Sequence, residues 1–301
     1  MRIDVVICTW NRCRLLAPTL ERLREVEIPQ NVDWQVIVID NNSTDNTAAT
    51  LQGFAGRLPL RTLFEPRPGL SNARNRAVAE ATGDYLVWTD DDVLVDRRWL
   101  AAYAQAFERW PTAAFFGGPI EPWFEGTPPR WLAEHWRHVA HAFAVRELGD
   151  MPFPFNGSQV PYGANCAFRA DVQRRYLYDP SLGRRPGASL GGEEVQVMQQ
   201  MIADGLIGWW VPEARVRHWI PRHRQSLRHL RHFFRGHGEI RGRRLQTSDG
   251  PRWFGRPRWL WRKALMAEAR YWRIRATSGP EVWLTALKET ARAWGELRGA
   301  P

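Results

Sequence analysis

Three consecutive carboxylates, Asp90, Asp91 and Asp92, follow directly on the apolar run Tyr85-Leu86-Val87-Trp88-Thr89. A buried strand that ends in carboxylates sets negative charge at the C-terminal edge of a sheet, where open α/β sheets bind their ligands. Alternate residues of an Asp-x-Asp segment can converge on one hard divalent cation, which takes oxygen ligands and bridges to a substrate's phosphates. The plainer alternative is a solvated acidic turn in which Asp92 caps a helix beginning near Arg97.

Other segments gather comparable chemistry. Asp40-Asn41-Asn42-Ser43-Thr44-Asp45 follows a second apolar run, and its carboxylates and amides can accept from a base N–H and from ribose hydroxyls. Ser43 or Asn42 can equally cap the next helix, but Asp40 ends an otherwise apolar strand and is poorly explained as a cap. Thr9-Trp10-Asn11-Arg12 closes the first strand in the same way. Arg74 and Arg76 lie on the helix that feeds the acidic strand, where a guanidinium can reach a diphosphate; for Arg76 a solvated helix position is favoured. Gly191-Gly192-Glu193-Glu194 opens a helix. Paired carboxylates in a first turn are stabilised by the helix dipole, and a Glu placed there can also serve as a general base. His218 follows Arg215-Val216-Arg217 at a strand end.

The elements that position these residues alternate strand and helix with short connections through the first half, the signature of a mainly parallel sheet with crossover helices. Strands are expected over Ile3–Thr9, Trp34–Asp40, Leu60–Glu65 and Tyr85–Thr89. Leu15, Leu16, Leu20 and Leu23 recur at helical spacing within Arg14–Glu27. Ala73, Ala77, Val78 and Ala81 form the apolar stripe of a helix from Ser71 to Gly83. Pro119–Pro161 reads as long loops around one or two short helices, and Gly163–Arg169 as a strand. Glu193–Ala203 reads as a helix, Ile207–Val211 and Ala214–Trp219 as short strands, and Ser226–Arg241, Trp259–Arg275 and Glu281–Leu297 as helices.

Composition narrows the class. With 44% hydrophobic and 25% charged residues in 301, the chain is that of a folded protein with ample length for a core. Cys8, Cys13 and Cys166 are odd in number and lack metal-ligand spacing, which points to a reducing compartment. The first strand begins at once, too short and too acidic for a signal peptide, and no apolar stretch approaches the ~18–20 residues of a membrane span. A cytoplasmic protein is expected. The net charge of +10 is uneven: residues 215–301 carry 21 basic and 6 acidic side chains, a balance of +15, against −5 for residues 1–214.

Taken in order, these segments resemble the family 2 glycosyltransferases, inverting enzymes of the GT-A fold. The resemblance runs through Val5–Arg12, Val38–Asp45, Gly69–Asn75, Gly83–Asp92, Gly163–Arg169, Gly192–Glu194 and Val216–His218, and covers roughly residues 1–240. Each motif alone is weak; six or seven in the right order and spacing are specific. The resemblance implies an α/β GT-A fold, Rossmann-like, with a mainly parallel central sheet flanked by helices and a basic helical extension. It implies a catalytic domain over 1–240, leaving 241–301 as the Trp- and Arg-rich extension. It also implies residue roles. Thr9 and Asn11 would line the nucleotide pocket with Asn42 and Arg74, and Asp40 would take the base N–H. Asp92 would ligate Mn²⁺ or Mg²⁺, with Asp90 toward ribose or the metal, and His218 matches a His that in some relatives reaches metal or diphosphate. Gly163, Asn165 and Glu193 would border the donor or acceptor. Glu194 falls where the family usually places a catalytic Asp; one methylene longer but chemically competent, it is the expected base. The implied reaction moves a sugar from a nucleotide-sugar donor, UDP favoured because an Asp reading a base N–H suits uracil, to a hydroxyl of a glycan or lipid-linked acceptor.

The basic extension has two readings. Leu260, Ala264, Ala267, Tyr271 and Ile274 form one apolar stripe, and Trp283, Leu287, Ala291, Trp294 and Leu297 another. These either pack within the protein or, with six Trp after residue 250, meet an anionic membrane surface at its inner face. No nucleic acid is expected, because no recognised motif accompanies the charge. A sugar nucleotidyltransferase, the rival on a similar sheet, usually carries a Gly-rich basic loop after the first strand, where this chain has Thr9-Trp10-Asn11-Arg12. A non-catalytic binding module is the other rival, and intact Asp90, Asp92 and Glu194 argue against it.

Overall fold

A computed structural model describes residues 1–157, 159–183, 192–243, 245 and 250–300. The chain divides into two compact units, the first made of residues 1–122 and 144–219, the second of 123–143 and 220–301.

The first unit is built on β1 (Arg2–Thr9), α1 (Cys13–Leu23), β2 (Asp33–Asp40), α2 (Thr47–Phe54), β3 (Leu60–Phe64), α3 (Leu70–Glu80) and β4 (Tyr85–Asp90). Then come β5 (Val93–Val95), α4 (Trp99–Arg109), β6 (Phe115–Gly117) and β7 (Ile120–Phe124), followed in the chain by α5 (Arg130–His135), which belongs to the second unit. Beyond these lie β8 (Asn165–Arg169), α6 (Ala170–Gln173), α7 (Glu193–Ala203), β9 (Gly208–Trp210) and β10 (Val216–Ile220). Seven strands form one sheet in the order β3-β2-β1-β4-β8-β6-β9, and a small second sheet has the order β5-β10-β7. Among the described strands of the large sheet, only β8 runs against its neighbours β4 and β6. The mainly parallel expectation therefore holds, with one reversed strand.

The central strands are apolar throughout because both faces of the sheet are covered. Ile3, Val5, Ile7, Val36, Val38 and Val87 face one way and pack on Leu16, Leu20 and Leu23 of α1 and on Trp99, Tyr103 and Phe107 of α4. Val6, Ile37, Ile39, Leu86 and Trp88 face the other way, against Ala73 and Ala77 of α3 and Val197, Met198 and Met201 of α7. Each such side chain, fully buried, contributes roughly 1.5–3 kcal/mol. Asp92 does not cap a helix. It precedes β5, and α4 begins only at Trp99, its turn fixed by Arg98 N donating to Asp96 Oδ1 at 2.9 Å.

The second unit holds α5 and a 3₁₀ helix (Trp136–Phe143), then α8 (Leu227–Arg243), a short hairpin of β11 (Arg252–Trp253) and β12 (Arg256–Pro257), α9 (Arg258–Thr277) and α10 (Pro280–Gly299). Helices α8 and α10 touch backbone to backbone. A Cβ on Gly238 would lie 2.2 Å from Arg292 O, and one on Gly295 would lie 2.1 Å from Arg235 O. Gly242 and Gly299 repeat the arrangement one turn further on. Leu260 and Ala264 of α9 close on Ala293 and Leu297 of α10, so the apolar stripes of both helices are used inside this unit. Glu268 on α9 accepts hydrogen bonds from Thr290 Oγ1 (2.8 Å), Trp294 Nε1 (3.0 Å) and Trp272 Nε1 (2.9 Å). No helix among the described residues is long and apolar enough to cross a membrane.

Candidate active site

Strand register gathers the acidic residues. Thr9 pairs with Asp40 across β1 and β2, and Cys8 pairs with Asp90 across β1 and β4. Thr89 pairs with Asn165 on the reversed strand β8, which brings the Gly163–Asn165 turn to the same edge. Asp40, Thr9, Asp90 and Gly163 therefore follow one another along the C-terminal rim, where an open α/β sheet takes its ligand.

The loops along the rim are tied by side chains. Asn11, with φ of 53°, uses Oδ1 to accept from Thr44 N (2.7 Å) and Asp45 N (3.2 Å), joining the loop after β1 to the loop after β2. Asp40 Oδ1 accepts from Ser43 N at 2.9 Å, and exposed Asn42 turns with φ of 65°. Asn41, which sequence reasoning left without a role, is buried; its Nδ2 donates to Glu65 O and Arg67 O, and its Oδ1 accepts from Gly69 N. Its position beside Asp40 was the only signal available.

The acidic triplet divides its work. Asp91 points inward, accepting from Thr9 Oγ1 at 2.7 Å and from Arg12 Nη1 at 2.9 Å. Thr9, expected to line the nucleotide pocket, is buried and its hydroxyl is used on Asp91. Burial is the largest influence on Asp91 and, with the nearby Asp92 charge, pushes its carboxyl up to about 7 against the pull of Arg12 and Thr9. Arg12 Nη1 also lies 2.6 Å from Asp92 Oδ2. Burial works against the Arg12 charge, but the two carboxylates outweigh it and hold the guanidinium firmly protonated. The functional weight of Arg12 was not legible in the sequence, where it stands among 40 arginines.

His218 and Asp92 meet at the small sheet. His218 pairs with Val93 across β10 and β5, and its Nε2 lies 3.4 Å from Asp92 Oδ1, both side chains almost wholly buried. Among the described residues no three His, Cys, Asp or Glu side chains are gathered into a metal cage. One carboxylate oxygen and one imidazole nitrogen are too few to cage a cation, so an ion held here would need further ligands from bound substrate or water.

The expected base stands on the other wall. Gly192, with φ of 103°, leads into α7, whose first two residues are Glu193 and Glu194; Gly191 lies outside the described residues. Glu194 Oε1 accepts from Gly163 N at 3.4 Å, and its Oε2 is 3.5 Å from Arg74 Nη1. Arg74 Nη1 is 2.8 Å from Glu193 Oε1, and neither side chain is more than 5% exposed. Arg74 was expected to reach a diphosphate; the guanidinium is instead turned into this pair and lies over Tyr178 at 5.2 Å. Gly163 is glycine because a Cβ there would lie 2.2 Å from Arg74 Nη2. Burial raises the Glu193 carboxyl above its ordinary range, opposed by Arg74. Its Oε2 is buried without a hydrogen-bond partner among the described residues.

Asn165, expected at the donor or acceptor, is fully buried, and its amide is used on the scaffold. Oδ1 accepts from Trp99 Nε1 (2.9 Å) and Tyr103 Oη (2.8 Å), while Nδ2 donates to Pro119 O (2.9 Å) and Ala214 O (2.6 Å).

A seven-stranded, mainly parallel sheet with carboxylates along its C-terminal rim defines the GT-A architecture. Residues 4–177 match the family described as Glycosyl transferase family 2. The chain is 30% identical over 251 residues to the succinoglycan biosynthesis protein ExoM of Rhizobium meliloti, covering 81% of this chain and 75% of ExoM. Among solved structures it is similar to the mannosyltransferase PcManGT from Pyrobaculum calidifontis in complex with GDP-Man and Mn²⁺. That match has a TM-score of 0.61 at 17% identity and covers 97% of this chain and 85% of that one. It is also similar to TarS of Staphylococcus aureus in complex with UDP-GlcNAc, with a TM-score of 0.52 at 14% identity over 92% of this chain and 74% of that one. This chain belongs to glycosyltransferase family 2.

Proposed function

We propose that the first unit is a metal-dependent inverting glycosyltransferase that moves a sugar from a nucleoside-diphosphate donor, UDP favoured, to a hydroxyl of a glycan or lipid-linked acceptor. Similarity to the succinoglycan biosynthesis protein ExoM supports a role in polysaccharide synthesis, which this reading sets at the cell surface and on the cytoplasmic side of the membrane. The observation that carries this reading is Glu194. Its carboxylate stands at the sheet rim between Gly163 N and Arg74, on the edge that also bears Asp40 and Asp90.

In this mechanism Asp40 receives the base N–H, and the Asn11 and Asn42 loops, already braced against each other, shape the pocket around the nucleoside. Asp90 meets the ribose. Asp92 and His218 would hold a Mn²⁺ or Mg²⁺ ion, which would supply positive charge against the departing diphosphate. Gly163 N and Arg74 orient Glu194, and Glu193 fixes Arg74. Glu194 takes the acceptor's hydroxyl proton as that oxygen bonds to the anomeric carbon from the face opposite the diphosphate. The carbon–oxygen bond to the diphosphate breaks with its electron pair leaving on the phosphate oxygen, and the centre inverts in one displacement.

Thermal stabilisation by UDP, GDP and dTDP, each with and without Mn²⁺, tests the donor site on wild type and Asp92→Ala. A ligand at ~100 times its dissociation constant stabilises by about 2.7 kcal/mol, a readily measured melting shift. A metal-dependent shift with one nucleotide, lost in Asp92→Ala and kept in Glu194→Gln, is the expected outcome. No shift with any nucleotide refutes the reading.

The second unit is proposed to contact an anionic membrane surface. In support, its basic side chains greatly outnumber its acidic ones, and Trp259, Leu265, Met266 and Trp272 are exposed on α9.

A further inference from the structure

The hairpin of β11 and β12 is closed by two residues. Trp253 pairs with Arg256, so Phe254 and Gly255 alone make the turn, with φ of 48° and 74°. Two-residue hairpins with both φ positive favour Asn-Gly or Asp-Gly, and a bulky aromatic at the first position is strained. Internal packing does not repay that strain, because Phe254 is 91% exposed and meets Trp261 only edge-on, with ring centroids 5.7 Å apart. The hairpin is nevertheless well fixed. Trp261 Nε1 donates to Trp253 O at 2.9 Å, and Arg258 stacks over Trp253 at 4.7 Å.

Beneath the tip lies a cavity of about 350 Å³. Its apolar wall is Trp261, Trp294 and Leu297, and three guanidinium groups rim it, those of Arg235, Arg256 and Arg298. Arg298 pairs with Glu239 at 3.1 Å. No ion pair joins Arg235 or Arg256 to a carboxylate among the described residues. The buried Nε of Arg235 has no hydrogen-bond partner among them. Clustered cations with unused donors, set over aromatic rings and beside an exposed aromatic tip, match an anionic headgroup attached to an apolar body.

We propose that this cavity binds the phosphate of an anionic membrane lipid, with Arg235 and Arg256 on the headgroup and Phe254 inserted among the lipid chains. The inference deepens the membrane reading given above and places the contact at the hairpin tip, not on the helices' apolar stripes, which are packed within the unit.

The test is partitioning of the full chain onto phosphatidylcholine vesicles with and without phosphatidylglycerol, at one ionic strength. Phe254→Asn restores the turn's preferred Asn-Gly pair, so its melting temperature should stay level or rise, while partitioning to phosphatidylglycerol vesicles should fall about tenfold or more with the loss of one buried aromatic. Arg256→Gln should lower binding to phosphatidylglycerol vesicles and leave the weak binding to pure phosphatidylcholine unchanged. If wild type binds anionic vesicles and both variants bind equally well, the hairpin site is wrong and the general membrane reading stands. If wild type ignores anionic vesicles, both fail. Melting protection by inorganic phosphate as strong as that by vesicles would make this a free-anion site and overturn the lipid assignment. Nucleotide-driven stabilisation, measured on the same samples, reports on the transferase site separately.

Discussion

Replacing Arg74 with Gln removes the cation that joins α3 to the start of α7. Arg74 Nη1 lies 2.8 Å from Glu193 Oε1 and 3.5 Å from Glu194 Oε2, with the Arg74 and Glu193 side chains 5% and 3% exposed. At an effective dielectric of ~20, unit charges 2.8 Å apart attract by about 6 kcal/mol. Desolvation of both ions takes back most of that, but removing a single partner leaves the other charge buried, and such losses run to about 3–5 kcal/mol. Arg74→Gln should therefore cost about 3–5 kcal/mol in urea unfolding. Glu193→Gln should also destabilise, and the double variant should cost clearly less than the sum, with a coupling of roughly 1–3 kcal/mol. Gly163→Ala offers an independent route to the same effect, because its Cβ would lie 2.2 Å from Arg74 Nη2 and force the guanidinium off Glu193. A loss below ~1 kcal/mol for Arg74→Gln, or strict additivity in the cycle, would refute the view that this pair holds the base's helix in place.

Three further outcomes follow from the geometry. Asn165→Asp keeps the acceptors for Trp99 and Tyr103 but turns an oxygen toward Pro119 O and Ala214 O; urea titration should show a loss of about 2–4 kcal/mol at neutral pH, easing in acid as the carboxyl regains a proton. Arg12→Gln removes the cation from Asp91 and Asp92, so scanning calorimetry should show a lower melting temperature without metal and a larger increment on adding Mn²⁺. Burial lowers His229 and His237 below the ordinary histidine value of 6.5, so the unfolded chain takes up these protons first as pH falls. The stability they confer is present above 6.5 and is lost as pH drops through their folded values; urea midpoints should decline as pH falls below 6.5, less so in the His229→Gln/His237→Gln double variant.

The parts of the fold that were legible in the sequence are those where local pattern and burial coincide. β1, β2 and β4 read as apolar runs because both sheet faces are covered, and α7 spans Glu193–Ala203 as expected because a glycine and two acidic residues mark its start. The three-residue strands β5 and β6 carry no periodicity to detect, and β7 lay inside a segment that read as loop. The candidate site was legible as a set of residue types, since strand ends and helix starts are local features. Partners were not. Arg74 and Glu193 are 119 residues apart, and Asn165 meets Trp99 and Tyr103 across more than 60, so nothing near either residue in the sequence distinguishes a scaffold amide from one that touches substrate. The glycines of α8 and α10 were likewise unremarked, because close backbone approach needs both helices at once.

That glycine seam has a mechanical consequence. An interface of backbone on backbone has no rotamers that can rearrange, so it cannot absorb a small slide of α10 along α8. Gly238 and Gly242 on one helix, and Gly295 and Gly299 on the other, recur about one turn apart. The nearest alternative fit is therefore a step of about 5.4 Å, a full helical turn. Helix α10 is thereby keyed to α8 in one register, and a slide along the seam would have to drive backbone into backbone.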